Sequence, residues 1–68
     1  MDPLDLIKEG LKQVEGLSAR AVLNYVLYEF ELGGPSREVV EEAVRIAQKE
    51  IAELQKTLEI LKKLEVYV

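Results

Sequence analysis

At 68 residues, with no cysteine and no histidine, the chain has room for one domain and lacks disulfides, thiolates and imidazole ligands. Its thirteen acidic and nine basic side chains give a net charge of −4. That charge divides into −3 over residues 1–34 (six acids, three bases) and −1 over residues 35–68 (seven acids, six bases), so neither half carries the basic footprint of a direct nucleic-acid binder.

Ordering so short a chain costs on the order of 100 kcal/mol in conformational entropy, which a small core barely offsets. Close helix packing and self-association are the remedies left. The start, Met1-Asp2-Pro3-Leu4, lacks the basic and apolar regions of a secretory leader. The longest unbroken apolar run, Tyr25 to Tyr28, is far short of a membrane span. A soluble cytoplasmic protein without membrane contact is expected. The Lys/Glu-rich surface, lone Asn24 and lone Met1 are reminiscent of hyperthermophile composition.

The first helix is expected over about residues 3–15. Asp2 can cap it, Pro3 suits its first position, and Asp5 complements the positive end of the dipole. Leu4, Ile7, Leu11 and Val14 recur every three or four residues and share one face. Gly10 costs about 1 kcal/mol within such a helix; it is expected to be a tolerated weak spot rather than a point of close approach. Gly16 is expected to end the segment as the residue just past the C-cap.

The second helix is expected over about residues 19–32, with Ser18 as its cap. Ala19, Val22, Leu23, Val26 and Phe30 form one apolar row, and Ala21, Tyr25, Tyr28 and Leu32 form another. Arg20, Asn24 and Glu31 mark a narrow polar stripe. A helix apolar around most of its circumference needs neighbours on at least two sides. Tyr25, Tyr28 and Phe30 are expected in the core.

Gly33-Gly34-Pro35-Ser36 then stops the second helix and caps the third. So short a connection predicts that helices 2 and 3 form an antiparallel hairpin. The third helix, about residues 37–65, has no internal breaker. Val40, Val44, Ala47, Ile51, Leu54, Leu58 and Leu61 alternate at spacings of four and three, the heptad rule. Val44, Ile51 and Leu58 take the a positions; Val40, Ala47, Leu54 and Leu61 take d. Lys49, Lys56 and Lys63 all fall at f, opposite the seam. Glu41–Arg45 and Glu59–Lys63 have the spacing of favourable ion pairs.

Length limits what one chain can cover. Twenty-nine helical residues span roughly 43 Å and fourteen span about 21 Å, so helix 2 is expected to cover helix 3 only to about Ile51. Leu54, Leu58, Ile60, Leu61 and Leu64 lie beyond, each worth about 1.5–3 kcal/mol if buried. These five residues are the expected oligomer interface. The fold expected is an all-α, three-helix chain (residues 1–68, one domain) that assembles into an oligomeric bundle. A homodimer with antiparallel packing is favoured over a trimer or tetramer.

No catalytic, cofactor or metal residues stand out. Glu38/Glu41 and Glu50/Glu53 form ExxE pairs of the kind that bind metals in helical bundles. Both lie on one helix, with no histidine to complete them, so a solvated charged face is the expected role. Helix 2, the turn and helix 3 resemble a helix-turn-helix only superficially, because Glu38, Glu41 and Glu42 would meet phosphates badly. Val66-Tyr67-Val68 reads as a last turn packed on a neighbour, with an edge-adding strand for a partner as the rarer alternative.

A non-catalytic, homo-oligomeric interaction module is therefore expected: an adaptor, regulator or assembly subunit, self-associating and open to another protein partner. A nucleic-acid-associated regulator acting through a protein partner is one alternative. An engineered bundle without biological role is another, although Gly10 and the Val-Tyr-Val tail sit poorly with an idealised design.

Overall fold

The structure, a computed structural model, describes residues 2–68. Among them the chain is all-helical, with three α-helices and no strand: α1 (Pro3–Gln13), α2 (Leu17–Gly33) and α3 (Arg37–Leu64), followed by a 3-10 turn (Glu65–Tyr67).

The start of α1 follows the expected chemistry. The Leu4 N–H donates to Asp2 Oδ1 at 2.9 Å, and Pro3 occupies the first helical position. Its end does not. Val14 is extended (φ −119°, ψ 139°), so α1 stops at Gln13 and not at residue 15. Gly16 belongs to the next element as the N-cap of α2, with no side-chain cap bond. Ser18 consequently lies inside the first turn of α2 and does not cap it.

Orphan carbonyls at the end of α1 find their donor elsewhere. The Arg20 guanidinium donates through Nη1 to the carbonyls of Leu11 (2.5 Å) and Val14 (3.2 Å). Arg20 is half-buried, a correction to its place in a solvated polar stripe. The physical reason is that a long cation can reach back over three linker residues to the negative end of the preceding helix.

At the other end of α2 the Gly34 N–H donates to the Phe30 carbonyl at 2.8 Å. Gly34 takes φ 80° and ψ 172°, a conformation essentially reserved for glycine. Pro35 then blocks continuation. Ser36 accepts from the Val39 N–H at 3.4 Å, a long cap bond on the outer margin of useful geometry.

α2 packs against both α1 and α3, while no α1–α3 pair of Cα atoms comes within 8 Å among the described residues. The apolar circumference of α2 is thereby used on two sides. Ile7, Val26, Phe30 and Ala43 form the buried core, joined by half-buried residues including Leu4, Leu11, Val22, Leu23 and Val39. Tyr25 is half-buried, but Tyr28 is 62 % exposed and does not join it.

Among the described residues no side chain is fully enclosed. The chain measures 51 × 23 × 17 Å with a radius of gyration of 15.6 Å, against about 11 Å for a compact domain of this length. The long dimension is set by α3, whose 28 residues span about 42 Å.

Candidate interaction surface

Every residue from Ile51 to Val68 is exposed. Leu54, Leu58, Ile60, Leu61 and Leu64 lie in this stretch at 51–64 % exposure, large enough to leave each mostly in water. At about 100° per residue, Ile51, Leu54, Leu58 and Leu61 fall within a strip about 80° wide. Leu64 and Ile60 widen that strip to roughly 180°, broader than the seam of a two-stranded coil.

The proximal half of the seam is also open. Val40 and Val44 are 43 % and 47 % exposed, whereas Ala43 is buried and Val39, Ala47 and Glu50 are half-buried. α2 therefore sits on a side of α3 rotated about one residue away from the heptad seam. The expectation that helix 2 covers the seam as far as Ile51 is corrected accordingly. The small side chain of Ala43 gives the physical reason, since it admits α2 more closely than a row of valines would.

This rotation leaves an apolar groove of about 310 Å³ between the start of α2 and the middle of α3. Ala19 and Val22 line one wall; Ala47, Ile51 and Leu54 line the other, with Glu50 among the lining residues. The groove's signal in the sequence is the pair of alanines at 19 and 47, too small to close the space between two helices.

The charged side chains are arranged differently. Arg45 donates to Glu42 at 2.7 Å and not to Glu41. This bond and the Glu42 charge hold its guanidinium pKa above the ordinary value. Both lie beside Glu38, Glu41 and Tyr25 in an open cleft. Lys12 pairs with Glu9 and Lys62 with Glu65; Glu59–Lys63 is not among the ion pairs of the described residues. Of the second ExxE pair, Glu50 is half-buried and Glu53 exposed. Among the described residues no group of three or more carboxylate, histidine or cysteine side chains could hold a metal ion.

Val66 and Tyr67 lie in the 3-10 turn at 85 % and 82 % exposure, and Val68 is fully exposed. Among the described residues the 3-10 turn comes close to no helix other than α3. No helix is long and apolar enough to cross a membrane among the described residues. Compared with protein-family models, curated proteins and solved structures, the chain matches none.

Proposed function

We propose that this chain is a non-catalytic interaction module whose primary activity is self-association, most simply as a homodimer, through the apolar face of α3. In this reading α2 and α3 form an antiparallel hairpin and the uncovered part of α3 supplies the interface. Neighbouring residues support the hairpin: Phe30 borders the same cleft as Val40, Tyr25 the same cleft as Val39 and Glu42, and Ala19 the same groove as Leu54. Residue numbers fall on one helix as they rise on the other.

Surface area carries the proposal. The chain exposes 5767 Å², whereas a compact monomer of 7.7 kDa exposes about 4,300 Å². The excess is about 1,400 Å² per chain. Two copies that removed it would bury about 2,800 Å², within the range of obligate homodimers. Along α3 the large aliphatic side chains Ile51, Leu54, Leu58, Ile60, Leu61 and Leu64 face water, a pattern that marks association sites.

Native mass spectrometry of the protein as it leaves its host tests this reading. A species at twice the chain mass of 7.7 kDa is expected, and the single-chain mass would contradict self-association. A complex containing one copy and a different protein would instead make α3 a docking helix for that partner and overturn the homodimer.

A further inference from the structure

We infer, on the basis of the self-association proposed above, that the groove at the start of α2 is the seat for the distal end of a second copy's α3. The two α3 helices then run antiparallel about a two-fold axis near residue 56.

The groove and the distal leucines are complementary in chemistry. One is an open apolar trough lined by Ala19, Val22, Ala47, Ile51 and Leu54. The other is a strip formed by Leu58, Leu61 and Leu64, each a little over half exposed. In a symmetric dimer each copy contributes one trough and one strip, so both are filled twice by one contact.

Heptad positions allow only registers that pair a with d, and the one with its axis near residue 56 brings the distal leucines level with the groove. With the axis near residue 56, Ile51 comes level with the partner's Leu61, and Leu54 with the partner's Leu58. Each layer pairs an a residue with a d residue, as antiparallel seams require. Antiparallel helices also bring their g flanks to the same side. α2 lies on the g side of α3, over Ala43 and Glu50, and Leu64 is itself a g residue. The partner's Leu64 therefore arrives on the side where the groove opens. A parallel dimer would place Leu64 beside its own equivalent end and leave the groove empty.

Charge permits this approach. Gln48 faces the partner's Lys62, and Glu50 faces the partner's Leu64, so no like charges meet across the flanks. Lys49, Lys56 and Lys63 point away from the seam. The strip of roughly 180° is explained as well, because each α3 then has an α3 on one side and an α2 on the other.

The absence of cysteine allows single spin labels at Gln48→Cys and Gln55→Cys, both exposed positions. In the antiparallel dimer the two 48 positions are offset by about 24 Å along the axis and the two 55 positions by about 3 Å. Electron–electron distance measurements are expected to give a separation about 10 Å or more longer for the residue-48 label. Equal distances mean parallel helices and overturn this inference while leaving self-association intact. Absence of any intermolecular coupling, with a monomeric mass, overturns the proposed function itself.

Ala19→Glu tests the groove separately. Ala19 is exposed in the single chain, and an acid in the first turn of a helix is favourable, so the chain should keep its helicity. At least a tenfold weaker dimer is expected. An unchanged dissociation constant would show that the groove is not occupied by the partner.

Discussion

Arg20 of α2 caps the C-terminus of α1, its Nη1 lying 2.5 Å from the Leu11 carbonyl oxygen. The same nitrogen reaches the Val14 carbonyl, so one side chain fastens α1 and the linker to α2. Arg20→Met keeps the aliphatic stem but removes both donors. A loss of about 1–2 kcal/mol is expected, since hydrogen bonds from charged donors exceed neutral ones. Urea denaturation measures it, and amide exchange should show the loosening in α1 before α3.

Gly10 faces α2, yet a Cβ built there would lie 3.5 Å from Leu23 Cδ1, an ordinary van der Waals distance. Nothing steric requires glycine. Gly10→Ala should stabilise the chain by about 0.5–1 kcal/mol through helix propensity alone. A rise in the urea midpoint without a change in slope would show it.

Gly34 behaves in the opposite way. There is open space around it, but its backbone lies at φ 80°. Gly34→Ala should destabilise by about 1–3 kcal/mol, from backbone strain rather than contact. Thermal denaturation of the two glycine variants side by side should move in opposite directions.

These residues mark what could be read from the sequence. The long helix, the Asp2 cap and the Gly33–Ser36 break were legible because each is a local pattern of a few residues. The uncovered leucines were legible too, because helix length is simple arithmetic. The boundary at Gly16 was not: Ser18 is the better cap by side chain, but the reach of Arg20 across the linker is a tertiary contact. The facing of α3 was not legible for a similar reason. A heptad identifies an apolar stripe, and nothing in the stripe says whether a neighbour in the same chain or another copy will cover it. Ala43 outside the stripe admits α2, and that choice left Val40 and Val44 uncovered.

Leu58→Lys places a charge in the middle of the exposed strip. Leu58 is 54 % exposed, so the isolated chain should retain its helices. In a two-fold dimer the substitution counts twice, and losing the burial of the exposed half of two leucines costs about 2–3 kcal/mol. Dissociation to a helical monomer at micromolar concentration is expected, by circular dichroism together with sedimentation. A dimer unchanged in affinity would move the interface off this strip.

The mass of the unmodified chain in solution tests self-association most directly. Light scattering at micromolar concentration should return twice the chain mass of 7.7 kDa, with no dependence on salt beyond that of a mainly apolar contact. A mass of 7.7 kDa under those conditions would contradict the account.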